Sequence, residues 1–311
     1  MRRRDVLVRL GLIGATVGGG WWFRDHVLWP RPAIAFGRPD WTPWDHRRAD
    51  LPTVSAVVAG RPVRALIDSG AQYSVIDRGL AATLPGVKAF DMPIVAYGVG
   101  GRAQLGKGVT VDVGIGGTRI GALRAAILDL GPLASSAGLG TPLILGQDVL
   151  GEALLDLDVE RRRLRFLARG TALPDTVVPL PTRRARAALT VAVVIEGQTV
   201  DAVIDTGSSS LLALSRTAAT RIGLFDGRER RAGASMVLGG SMASTLVEVR
   251  DVTIGDLRFD RVETAVYRDV ALPGFPDALI GMAAFAGRRA VFDLGGGSLH
   301  VSRPLDLTVG R

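Results

Sequence analysis

The chain has 311 residues, 47% of them apolar and 22% charged, enough to bury one or two cores, and its 40 glycines beside few aromatics favour strands and tight turns over a helical bundle. It has no cysteine, which excludes thiol catalysis, disulfides and thiolate metal sites, and its three histidines (His26, His46 and His300) fall in no metal-ligand spacing. The net charge of +8 is carried mostly by arginine, but the clusters at Arg2–Arg4, Arg161–Arg163, 183–186 and Arg228–Arg231 are scattered and not interleaved with aromatics, which argues against a nucleic-acid surface.

Three arginines at residues 2–4 precede a Gly-rich apolar stretch from Leu10 to Phe23. That stretch is short for a bilayer span of about 20 residues and suits the apolar region of an export signal. The order Arg-Arg-Asp-Val-Leu resembles a twin-arginine signal. Residues 1–29 are therefore expected to be a signal or membrane-anchor segment, with Trp21, Trp22 and Trp29 suited to the interface. This places the protein in the periplasm of a bacterium or at its inner membrane. Residues 30–50, rich in Pro and Trp and without a period, predict an extended linker or surface strap.

From Leu51 the pattern becomes that of strands. Val54–Gly60 and Val63–Ile67 predict a hairpin running into Asp68-Ser69-Gly70, and Tyr73–Ile76 predicts the strand that follows. A Gly-rich tip, Tyr97-Gly98-Val99-Gly100-Gly101, and an apolar Leu143–Gly146 run complete a unit at 51–172. A Pro-rich stretch at 173–187 marks a boundary. The order then recurs over 188–305: Leu189–Gly197 and Val200–Ile204 lead into Asp205-Thr206-Gly207, Leu211–Leu214 follows, a second tip carries Gly239 and Gly240, and Ala278–Gly281 closes the series. The interval from Asp to the later Gly is 78 residues in the first unit and 76 in the second. Two copies of one unit imply two similar lobes about a pseudo-two-fold axis, each presenting one carboxylate.

Hydrolysis without metal, Cys or His needs one group to take a proton from water and another to give one to the carbonyl oxygen. No Gly-x-Ser-x-Gly elbow offers a serine nucleophile. Two carboxyls at about 3 Å supply both roles, because they cannot both ionise and so share a proton. Asp68 and Asp205 are the candidate catalytic pair. Gly70 and Gly207 permit the tight turn past each Asp, where a Cβ would obstruct. Gly146 and Gly281 read as places where the chain passes close behind each Asp turn. Ser208 puts a hydroxyl where the first unit has Ala71; it is expected to donate to the outer oxygen of Asp205, leaving Asp68 to hold the proton. Asp148, Asp156, Asp158 and Asp293 read as turn and structural carboxylates.

The order apolar-apolar-Asp-Ser/Thr-Gly, Gly-rich hairpin, apolar-apolar-Gly resembles the aspartic proteases over roughly residues 50–303. The first tip begins only 29 residues after Asp68, which is similar to the retropepsins rather than the pepsins. The chain thus resembles a retropepsin dimer fused into one polypeptide, as in bacterial periplasmic members. The resemblance implies an all-β fold of two retropepsin-like β-barrel lobes. It also implies that Ser69 and Thr206 tie the two turns together across the junction. Tyr97, Gly98, Gly100, Gly239 and Gly240 then belong to flaps over a peptide substrate, and the activity is that of an endopeptidase, here on envelope proteins. Neither cofactor nor metal is implied, and one chain carrying both Asp needs no dimer. A catalytically silent peptide-binding module with the same cleft is the alternative, though both motifs are intact. A glycosidase pair, at least ~5 Å apart and drawn from unlike contexts, fits twin turns poorly. The Gly98-x-Gly100-x-x-Ala103 match to a dinucleotide fingerprint lacks its βαβ context.

Overall fold

The structure is a computed structural model that describes residues 6–8, 29–44, 50–97, 103–185, 188–237, 240–269 and 276–303. It is almost entirely β. Each half of the chain closes six strands into a barrel. In the first half these are Thr53–Val58, Arg61–Ile67, Val75–Asp77, Ala103–Ile115, Thr118–Leu128 and Leu143–Leu145, with Val57 and Val58 pairing back onto Val113 and Gly114 to close the ring. In the second half they are Ala188–Ile195, Gln198–Ile204, Leu212–Ser215, Gly240–Ile254, Leu257–Tyr267 and Ala278–Ile280, closed by Val193–Ile195 against Val252–Ile254.

The correspondence extends to pairing direction. Leu143–Leu145 runs parallel to Ala65–Ile67 and antiparallel to Val75–Ile76, as Ala278–Ile280 runs parallel to Ala202–Ile204 and antiparallel to Leu212–Leu214. The strand that ends in each Asp is therefore central in its sheet, and its apolar residues Leu66, Ile67, Ala202 and Ile204 are buried. Short helices follow at matching places. Arg78–Ala81 is capped by Asp77, whose Oδ2 accepts from the Gly79 amide, and Arg216–Ile222 by Ser215, whose Oγ accepts from the Ala218 amide.

A third sheet joins the lobes. Ala153–Asp158 of the first pairs antiparallel with Arg289–Asp293 of the second, flanked by Arg163–Ala168 on one side and Ser298–Ser302 on the other. Asp156 is fully buried in this sheet. It accepts from Arg165 Nε at 2.8 Å and from Arg289 Nε and Nη2 at 2.8 and 2.6 Å. A forked guanidinium from one lobe thus neutralises a buried carboxylate of the other.

The described part of the stretch expected as a linker or strap contributes strands to the sheets. Ala33–Phe36 pairs with the Thr118–Leu128 strand, and Thr42–Pro43 pairs with Arg163 and Leu164. Trp29 and Trp44 are buried, and the Trp41 ring lies 4.5, 4.3 and 5.3 Å from the Arg163, Arg165 and Arg289 guanidinium carbons, roofing the ion cluster. Likewise, within 173–187, Val177–Leu180 pairs with Ser298–Ser302 and Thr182–Ala185 with Ala188–Ile195. Of the expected signal segment, Val6–Val8 forms a strand parallel to Ala234–Met236; its remaining residues up to 28 lie outside the described ones. Among the described residues no helix is long and apolar enough to cross a membrane.

Arg289→Ala leaves Asp156 buried with one cation instead of two. The substitution is expected to lower the unfolding free energy by about 3 kcal/mol, read from denaturant titration of the full chain, and Arg289→Lys to recover only part of it because the fork is lost.

Candidate active site

The two acidic turns meet where the barrels face each other. Ser69 N donates to Thr206 Oγ1 at 2.9 Å, and Thr206 N donates to Ser69 Oγ at 3.0 Å. Each hydroxyl then reaches past the other turn: Ser69 Oγ donates to the Ile204 carbonyl at 2.9 Å and Thr206 Oγ1 to the Ile67 carbonyl at 2.8 Å. Four buried hydrogen bonds, each spanning more than 130 residues of sequence, lock the turns in a reciprocal grip. The hydroxyls face the main chain and each other, which is the tie that the resemblance implied for them.

The grip leaves both carboxyls facing the junction. Asp68 Oδ1 accepts from the Gly70 and Ala71 amides at 2.8 and 3.1 Å, and Asp205 Oδ1 accepts from the Gly207 amide at 2.8 Å. Asp68 and Asp205 are buried, at 0% and 1% exposure. Asp68 lies so close over the opposite turn that a Cβ on Gly207 would stand 2.6 Å from its Cγ and 2.7 Å from each carboxyl oxygen. Gly207 is therefore required by the carboxyl of the opposite lobe.

Burial pushes the Asp68 carboxyl well above the usual carboxylate range, and the Asp205 charge and a hydrogen bond with Asp205 push it further, against the opposing pull of the Gly70 and Ala71 amides. Both carboxyls are enclosed, so the pair as a unit holds a proton well above the usual carboxylate range. The Ser208 hydroxyl, expected to donate to Asp205, shares a 2.9 Å hydrogen bond with Ser210.

Behind the turns, Gly146 and Gly281 occupy equivalent places. A Cβ at Gly146 would come within 2.6 Å of the Ala71 carbonyl oxygen, and one at Gly281 would collide with the Ser208 and Ser210 carbonyls. The next amide in each lobe completes the clamp, Gln147 N to Ala71 O at 2.8 Å and Met282 N to Ser208 O at 2.7 Å. Gln147 adds a side-chain bond, Nε2 to the Ser69 carbonyl at 2.7 Å. Sequence reading did not single out Gln147 or Ser210; for Gln147 the only signal was its place directly after the glycine of the closing run.

Of the expected flap residues, Tyr97 ends the strand Ala89–Tyr97 opposite Ala103, and Gly240 opens the strand Gly240–Ile254 opposite Val237. Gly98, Gly100 and Gly239 lie outside the described residues. No group of metal-binding side chains occurs among the described residues.

The aspartyl protease family profile matches the chain twice, over residues 54–149 and 191–284, more than half of its length and one match per lobe. The chain belongs to the aspartyl protease family. Each match contains one Asp-Ser/Thr-Gly turn and its closing glycine. Among solved structures, basic 7S globulin from soybean is similar over 88% of this chain and 95% of its own, at 10% identity and a TM-score of 0.51, a likeness of fold. The EIAV protease complexed with the inhibitor HBY-793 is similar at 22% identity over 34% of this chain and 89% of its own, with a TM-score of 0.28. A retropepsin-like aspartic protease from Rickettsia conorii is similar at 18% identity over 40% and 88%, with a TM-score of 0.29. Among curated proteins none matches. The family member described here carries two similar lobes, each matched by the family profile, in one chain.

Gly207→Ala is expected to break the site by forcing Asp68 out of place, with loss of activity exceeding any loss of fold. Thr206→Val removes the hydroxyl from two buried hydrogen bonds and should cost about 2–3 kcal/mol in denaturant unfolding, measured beside Ser69→Ala, which should cost a similar amount.

Proposed function

We propose that the chain is an aspartic endopeptidase that activates water between Asp68 and Asp205. The observation that carries this reading is the meeting of two buried carboxyls across a reciprocal Ser69–Thr206 grip; in it Asp68 holds the shared proton. In the low dielectric of the junction, two negative charges at contact repel strongly, so the pair carries one proton over a wide pH range. The ionised carboxyl, Asp205, takes a proton from water as the oxygen adds to the scissile carbonyl. Protonated Asp68 gives its proton to the carbonyl oxygen, so the addition product is a neutral diol. Collapse of the diol returns one hydroxyl proton to the Asp68 carboxylate while the departing nitrogen takes the proton that Asp205 had gained from water, so the products are a carboxylic acid and an amine and the pair again holds one proton.

The substrate in this reading is an extended polypeptide lying between the lobes, its backbone pairing with strands of the hairpins that end at Tyr97 and begin at Gly240. The arginines at 2–4 and the apolar stretch behind them support export, with envelope proteins as the substrates and the inner membrane as the place of action. A single chain suffices, because both carboxyls belong to it.

The test is cleavage of a disordered protein by the full chain between pH 3 and pH 8. Wild type should give a bell-shaped profile, falling at low pH when both carboxyls are protonated and at high pH when both are ionised. Asp68→Asn and Asp205→Asn should each lose at least about a thousandfold in kcat/KM. Wild type that binds peptide yet cuts nothing across the range would overturn the hydrolytic reading and leave a binding module.

A further inference from the structure

Asp148 lies directly behind the Asp68 turn, at a position where the second lobe has no carboxyl. Its Oδ1 accepts from Ser74 Oγ at 2.7 Å and from the Val149 amide at 3.0 Å; its Oδ2 accepts from the Ser74 amide at 3.0 Å. Ser74 Oγ accepts in turn from the Gly146 amide at 3.2 Å. Residue 148 thus ties the segment that leaves Asp68 to the run that passes behind it, and its neighbour Gln147 holds the Ser69 and Ala71 carbonyls. The equivalent residue of the second lobe, two past Gly281, is Ala283, which has no carboxyl to offer.

The fourth donor to this carboxylate comes from outside the barrel. Trp29 Nε1 donates to Asp148 Oδ2 at 3.0 Å, 119 residues away in sequence. The indole is 3% exposed and packs on Tyr73, with ring centroids 4.4 Å apart. Enclosure pushes the Asp148 carboxyl up, and the four donors pull it back toward the charged form that accepts all of them. The other charged groups lining the cavity beside it are the Arg31–Glu152 pair at 2.9 Å, Arg169 and Arg184.

We propose that Trp29 is a positioning residue for the Asp68 turn, acting through Asp148. Docking of the segment just before the first lobe completes the donor set of this carboxylate, and the carboxylate in turn holds Ser74 and, beside it, the clamp on Ser69 and Ala71. The inference rests on the hydrolytic reading above for its kinetic consequence, but not for the contact itself. A chain that loses Trp29 would keep both catalytic carboxyls and work with a looser first-lobe turn.

The experiment compares full-chain wild type, Trp29→Phe, Asp148→Asn and the double variant. Phe keeps the ring on Tyr73 and removes the N–H. Trp29→Phe should lower kcat about tenfold, leave KM within about twofold, and move the acid limb of the pH profile upward, because Asp148 with three donors protonates more readily. In the Asp148→Asn background the same change should have little further effect. An unchanged kcat and pH profile, full additivity in the double variant, or a loss of rate matched only by a lower melting temperature overturns the proposal. Should wild type cut nothing, the hydrolytic reading fails while this one is still decided by carbon-13 titration of the Asp148 carboxyl: a higher midpoint in Trp29→Phe supports it, an unmoved one refutes it.

Discussion

Two carboxyls buried against each other can hold one negative charge comfortably and two only at great cost, since charge–charge repulsion grows as the surrounding dielectric falls. Much of the structure around Asp68 and Asp205 follows from that constraint. The pair must be brought together by elements stiff enough to resist the repulsion that appears when the shared proton leaves. It is held by backbone amides on Oδ1, by turns whose hydroxyls cross the junction, and by runs with glycine at the points of closest approach. None of these contacts alone would fix a carboxyl to a few tenths of an ångström. Arranged around two rigid barrels, they do.

Having both lobes in one chain frees them to diverge. The grip is symmetric, but the surroundings of the carboxyls are not. The first-lobe turn is backed by Gln147, Ser74 and Asp148, the second by Met282, Ser208 and Ser210. The lobes are joined again at the far sheet, where Arg289 of one neutralises Asp156 of the other beneath the Trp41 ring. A dimer of identical subunits would be bound to repeat each specialised contact twice. Here the segment at 29–44 serves the first lobe and the shared sheet, and the described part of the second lobe has no equivalent of it.

What could be read beforehand was whatever depends on short-range pattern. The repeated Asp-Ser/Thr-Gly turns, the apolar strands before them and the nearly equal intervals to Gly146 and Gly281 were legible, and with them the all-β, two-lobed fold. The place of Ser69 and Thr206 came from family resemblance; the structure sets their hydroxyls in hydrogen bonds across the junction. What escaped depends on contacts far apart in sequence. No period marks Trp29 as a donor to Asp148, or Arg289 as the partner of Asp156, 133 residues away. The Pro- and Trp-rich stretch at 30–50 showed no alternation because its strands are only four and two residues long. The hydrogen bond that Ser208 shares with Ser210, two residues on, had no signal in the sequence either.

The most direct measurement is a carbon-13 titration of the Asp68 and Asp205 carboxyl groups in the full chain. A shared proton predicts two well-separated apparent pKa values for the pair, the upper one above the usual carboxylate range and accompanied by the larger signal change at Asp68. Two carboxyls titrating together near pH 4, as isolated groups do, would contradict the account at its centre.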